Sequence, residues 1–250
     1  MVDVFEEVEG RLRSDQYSGL ARRCLPWVLG VCAVALGAAM AFWGYEHFRE
    51  QDAQKASQTY GEGQQALGRG DAGAAFLKFA TVAKSGSPVY RTLAQMQEAG
   101  IRLTAGDTAQ AAQMLDAAAA TAPNQALGDA ARLKSALALL DTASLTDLEA
   151  RLTPLADAKR PYHILAREAL AMARLRAGKF AEARGDFVVL TTSLDAPDDM
   201  RERAHAAITL IDDGAASGIP ATVKTALTLP PPSPAPPASG PQTPQAGAAQ

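Results

Sequence analysis

From Glu46 to Gln250 the chain has no cysteine; its two, Cys24 and Cys32, lie near the N-terminus. That excludes a disulfide framework, a thiolate metal site and a thiol nucleophile from most of the molecule. Histidine is nearly as scarce. His47, His163 and His205 are far apart and match no metal-ligand spacing, so no metal is expected. His47 reads as an interfacial residue and the other two as helix-surface residues. No P-loop, GxSxG, HExxH or GxGxxG site is expected, and the acidic pairs Asp198-Asp199 and Asp212-Asp213 sit at helix ends, where dipole and solvent explain them. No catalytic residue and no cofactor are expected, and the protein reads as a non-enzyme. A net charge of −3 leaves no electrostatic footprint for nucleic acid. Charge is also absent from the end of the chain. "LPPPSPAPPASGPQTPQAGAAQ" holds eight prolines and few large apolar groups, so residues 215–250 are expected to be a disordered Pro/Ala-rich tail. It is either a solvated low-complexity end or a Pro-rich ligand for some groove.

Charge is missing once more from Cys24 to Tyr45. As a helix this run is about 33 Å long, enough for a hydrocarbon core of about 30 Å. Trp27 near one end and Trp43 and Tyr45 near the other put amphipathic rings at headgroup depth. Ala39-Met40-Ala41 has the form of an export cleavage site, but the apolar run continues past it and exceeds the roughly 7–15 residues of a signal. A retained anchor is expected. Arg11, Arg13, Arg22 and Arg23 precede the run and Arg49 and Lys55 follow it, so residues 1–23 are expected to stay cytoplasmic and residues 46–214 to cross. Gly30, Ala33, Gly37 and Ala41 share one face of the span and form a candidate contact with another membrane helix.

Between span and tail the chain is rich in Ala and Leu and punctuated by glycine. Gly70, Gly106 and Gly178 fall 36 and 72 residues apart, the second interval holding two units. The missing turn falls near Ala143, in "LLDTASLTDLEARLTPLA", where glycine is absent. Five residues after each glycine stands alanine (Ala75, Ala111, Ala183), and four further on a bulky apolar residue (Phe79, Leu115, Phe187). Small residues allow helices to cross closely and large ones fill the gap between hairpins. A period of about 34–37 residues of this kind marks a tetratricopeptide-type array. The expected fold is all-α: one transmembrane helix, about four helical hairpins plus a polar-faced capping helix from "PDDMRERAHAAITLIDDG", then the tail. A non-repetitive Ala-rich bundle is the alternative. Gly61 and Gly63 weaken a continuous run of the membrane helix into the first repeat.

By repeat offset Tyr60, Leu67, Leu93, Met96, Leu133, Leu137, Leu165 and Met172 are candidates for a partner groove, or else ordinary core of the first helices. An apolar groove suits unfolded or apolar peptide segments.

The N-terminus adds a resemblance. "VFEEVEGRLRSDQYSGLARR", the span and "FREQDAQKAS" together resemble the YfgM-like tetratricopeptide family, the ancillary subunit of the bacterial Sec translocon. The matching residues are Phe5, Glu7, Val8, Glu9, Leu12, Arg13, Arg22 and Arg23; Gly10 departs from the pattern. The resemblance implies a bacterial inner-membrane protein with a periplasmic C-terminal domain. Its implied partners are the Sec translocon, periplasmic chaperones and exported chains. The alternatives are an envelope-assembly or cell-division coordinator that binds a folded partner, and an enzyme with an unrecognised site. Composition does not name an oligomeric state.

Overall fold

The computed structural model describes the backbone of residues 3–85 and 87–228, and the side chains of residues 27, 30–32, 34–85 and 87–225. The described residues form helices and turns without a strand. They divide into two compact units, Met1–Leu139 and Leu140–Gln250, and the division falls beside the hairpin that lacks a turn glycine.

The first unit contains α1 (Asp3–Gly68), α2 (Ala72–Val82), α3 (Pro88–Thr104), α4 (Thr108–Ala120) and α5 (Gln125–Ala138). The 66-residue α1 runs without interruption from the N-terminal segment into the first hairpin. Its apolar run includes Cys24, Leu25, Pro26, Val28, Leu29 and Ala33, whose side chains lie outside the described residues, as do those of the Phe5–Arg23 motif. Among the described residues no helix is long and apolar enough to cross a membrane. Trp27, Val34, Met40, Phe42, Trp43 and Phe48 nevertheless stand exposed on α1.

Gly63 does not weaken α1; it receives α2. A Cβ there would lie 2.8 Å from Cε1 of Phe79, which is fully buried. Phe79 packs with Ala56, Ala66, Ala75, Val82 and Ala94 in one core cluster. A second cluster joins α3, α4 and α5 through Met96, Ala99, Ala111, Leu115, Ala118 and Ala131. Three helix starts have a local cause: Asp71 accepts the Ala74 amide at 2.8 Å, Pro88 opens α3, and Asn124 accepts the Leu127 amide at 2.9 Å.

The second unit contains α6 (Leu145–Leu152), a 3-10 turn (Thr153–Leu155), α7 (His163–Arg176), α8 (Phe180–Thr192), α9 (Asp198–Asp212), a second 3-10 turn (Ala215–Gly218) and α10 (Ile219–Thr228). Its core gathers Leu175, Ala183, Phe187, Leu190, Met200 and Ala204, with Ile208, Ile211 and Ile219 packed against it. Asp198 and Asp199 lie in the first turn of α9, where carboxylates favour the positive end of the helix dipole. α9 is not the last helix. After a turn at Asp213-Gly214 the chain is helical again to Thr228, so the expectation of a disordered tail from residue 215 is corrected for residues 215–228; residues 229–250 lie outside the described part. The physical reason is local: Ile219 and Val223, four apart, share a helical face, and Ala216 is buried in the core.

Three hairpins close in the same way. Gly70, Gly106 and Gly178 have φ of 79°, 87° and 78°, the left-handed region that a Cβ disfavours. The amide of each donates three residues back, to Leu67, Leu103 and Leu175. The following amide donates five back, from Asp71 to Ala66, Asp107 to Arg102 and Lys179 to Arg174, at 2.8–2.9 Å. These are Schellman caps that satisfy the last carbonyls of the first helix. The hairpin around Ala143 has no such glycine. α6 begins instead from Ser144, whose hydroxyl accepts the Asp147 amide at 3.2 Å.

Candidate partner clefts on the first helices of the hairpins

Ala75, Ala111 and Ala183 have no exposed surface, and Phe79, Leu115 and Phe187 have at most 2 %. These six hold second helices against their neighbours; of them only Leu115 and Phe187 reach the clefts, as part of the lining. What remains open is the face of the first helices, and each unit has a cleft there.

In the first unit the cleft measures about 380 Å³ and lies between α3 and α5, over Leu115 of α4. Met96, Gly100 and Leu103 line it from α3, and Lys134, Leu137 and Ala138 from α5. Gly100 would meet nothing within 4 Å if it carried a Cβ, so the floor is open there. In the second unit a larger cleft of about 710 Å³ lies along α7 and α9. Met172 and Leu175 of α7, Ala207 and Leu210 of α9, and Ile219 and Val223 of α10 supply its apolar lining.

Charge on the rim of the second cleft is already paired. Arg203 donates to Glu168 at 2.8 Å and to Asp199 at 2.8 Å, and Arg176 meets Asp141 at 3.0 Å. The hydrogen bond from Arg203 holds the Asp199 carboxyl below its ordinary range. An apolar interior with a neutralised rim selects for apolar side chains rather than for a phosphate or a carboxylate.

The candidate groove residues fall into four groups. Met96, Leu137 and Met172 line the clefts. Leu133 is 5 % exposed and belongs to the interior of α5, which corrects its assignment to a groove; Met96, at 8 %, is core as well as cleft wall. Tyr60 and Leu67 are packed against the first core. Tyr60 meets the Phe79 and Tyr90 rings, and its hydroxyl accepts from Gln64 and Gln97 at 3.0 and 3.1 Å, tying α1 to α3. Leu165 is exposed and Leu93 half-buried, and neither lines these clefts. On α1, Gly30, Gly37 and Ala41 are exposed, while the Ala33 side chain lies outside the described residues.

Among the described residues no group of three His, Cys, Asp or Glu is placed to hold a metal ion. His163 is half-buried rather than a free surface residue: Nδ1 meets the Arg160 carbonyl at 2.8 Å and Nε2 lies 3.6 Å from Asp195. Gly68-Arg69-Gly70-Asp71-Ala72-Gly73 has the letter spacing of a dinucleotide fingerprint, but it joins two helices, not a strand and a helix. Its central glycine serves the hairpin cap, and the spacing carries no nucleotide chemistry here.

One constellation escaped the sequence. Asp186 of α8, with a side chain 9 % exposed, accepts from Arg167 at 3.2 Å and Arg174 at 2.7 Å. Arg174 also donates to Glu149 of α6 at 2.9 Å, and Arg167 to the Ala156 carbonyl at 3.2 Å. Two guanidiniums seven residues apart on α7 thus fasten the short α6 segment. The available signal was a carboxylate directly before the buried Phe187.

Helical hairpins with repeated left-handed caps, packed by small and large residues at fixed offsets, define an α-helical repeat protein. Residues 25–209 match the tetratricopeptide repeat-like domain, and the chain belongs to that family. Domains of this type are protein-interaction scaffolds and typically carry no catalytic site. No curated protein and no solved structure matches the chain.

Proposed function

We propose that this chain is a membrane-tethered, non-enzymatic scaffold of the bacterial inner membrane. It stands beside the Sec translocon with its N-terminus in the cytoplasm, and links emerging exported chains to periplasmic chaperones. The observation that carries the protein-binding part of this reading is the pair of apolar clefts on the first helices, one in each unit. Burial of apolar side chains is the general driving force for association, and a cleft of this size takes a few residues of a helix or an extended chain. The uncharged run of α1, its flanking arginines and the N-terminal motif support the anchor and the translocon.

A photo-crosslinking residue at position 137 or 172 of the full chain, in cells, tests this reading. Exported chains or soluble chaperones are the expected adducts. Adducts confined to a folded envelope-assembly or division complex would replace the translocon reading. Adducts with no protein would remove the clefts from consideration. Leu137→Asp is the suitable disrupting variant, because Leu137 is 47 % exposed; a carboxylate at the buried Met96 would unfold the helix pair instead.

A further inference from the structure

The two clefts differ in one respect. The first is bounded by α3, α4 and α5 alone, whereas α10 lies along the second and contributes Ile219 and Val223 to its wall. α10 has ten residues, a length at which an isolated helix is marginal in water, so packing keeps it folded. Among the described side chains of α10, those of Ile219, Pro220 and Val223 are partly covered, and Ala221, Thr222, Lys224 and Thr225 are exposed; none is buried. The hydroxyl hydrogen bonds of Thr222 and Thr225 run back along the helix, to the carbonyls of Gly218 and Ala221.

The attachment is built differently. Gly214 takes φ of 73°, and Ala216 of the following 3-10 turn is 1 % exposed in the core cluster. The chain is thus pinned just before α10, whose described contacts run through Ile219, packed against the core, and Val223, in the cleft wall. Open apolar surface remains beside it: Met172 and Leu210 are 41 % and 38 % exposed.

From these contacts we infer that α10 is a displaceable wall of the cleft, lying on the apolar face of α7 and α9, and that the partner exchanging with it is a short amphipathic helix presenting aliphatic side chains four residues apart. The inference rests on reading this cleft as a protein-binding site and names the class of its ligand. Ile219 and Val223 show what the cleft accepts: two branched aliphatic groups on one face of a helix, with the polar face outward. A covered cleft gives a weaker apparent affinity, because a partner binds only the fraction of molecules in which α10 has left.

The test uses the full chain in detergent and a labelled peptide of residues 215–228, lactam-bridged at the exposed positions 221 and 225 to hold the helix. Val223→Asp removes the aliphatic contact of α10 and frees the cleft. The expected result is peptide binding about tenfold tighter than to the unaltered chain, and lost again when Met172→Glu is added. A folded Val223→Asp chain that binds the peptide no better than the unaltered chain overturns the inference. Should that variant lose its helical content, hydrogen exchange of the unaltered chain decides. Excess peptide is expected to speed exchange of the α10 amides while α7 and α9 stay protected, and unchanged α10 protection overturns the inference. Crosslinking from position 172 reads the binding function separately: protein adducts there with no effect of the peptide would leave the scaffold standing and remove α10 from it.

Discussion

Gly61 and Gly63 are two residues apart on one helix, and substitution should move stability in opposite directions. At Gly61 an added Cβ meets nothing within 4 Å, so Gly61→Ala is expected to stabilise the chain by about 0.5–1 kcal/mol through lost unfolded-state freedom. At Gly63 the same methyl lands on the buried Phe79 ring, and Gly63→Ala is expected to cost about 1–3 kcal/mol. Denaturant unfolding of the two variants checks both signs. Glu98 is a second residue with a definite expectation. It is 7 % exposed, and burial raises its carboxyl above the usual 4.5 despite Arg102 and Lys84. The folded state therefore holds a proton more tightly than the unfolded state, and stability falls as pH rises from about 4.5 through the raised value. Glu98→Gln should unfold at nearly the same denaturant concentration as the unaltered chain at pH 4 and at a higher one at pH 7. Identical midpoints at pH 7 would rule this out.

At the scale of elements, the hairpin without a glycine turn is held by ion pairs. Asp186→Ala leaves Arg167 and Arg174 facing each other without their carboxylate. The expected cost is about 3 kcal/mol, at the low end for a broken buried pair, because the two guanidiniums retain 27 % and 21 % exposure. Arg184 and Asp212 make an equally short pair at 2.7 Å, but both are nearly half exposed. Arg184→Ala should cost far less than Asp186→Ala, and raising salt should erase the effect. Equal losses in the two variants would mean that the Asp186 network does not hold α6. On the acid side, hydrogen bonds from Arg203 and Arg184 lower the carboxyls of Asp199 and Asp212. Their contribution is present above the ordinary 3.8 and is lost as pH falls through the lowered values.

The described residues form two compact units, each carrying its own core, and the long α1 belongs to the first. In repeat proteins stability is close to a sum of neighbour contacts, so a repeat with poor local signals is where an array divides. Here the division at Leu139–Leu140 adjoins the hairpin lacking a turn glycine. The anchor reading belongs to this scale. A reporter active only outside the cytoplasm, fused after Gln250, is expected to be active, and the fusion to stay in the membrane fraction at full length. A shortened soluble product would mean cleavage after Ala41, and an inactive fusion would reverse the orientation.

The sequence by itself determined the hairpins. Gly70, Gly106 and Gly178, with an alanine five residues on and a bulky residue four beyond it, are legible because each requirement is local and recurs at one period. Left-handed φ needs glycine, close crossing needs a small residue, and the gap between hairpins needs a large one. Tertiary structure decided which apolar residues of the first helices face a cleft and which face a neighbour. Leu133 and Leu137 are one helical turn apart and equally apolar, yet one is interior and the other open, since the crossing of α5 with α4 sets how far the covered stripe extends. It likewise turned Gly63 from a weak point into a socket and drew Asp186 to two arginines from another helix. It also gave "IPATVKTALT" a wall to fold against. In each case the partner lies outside the segment, and a window of sequence holds only one side of the contact.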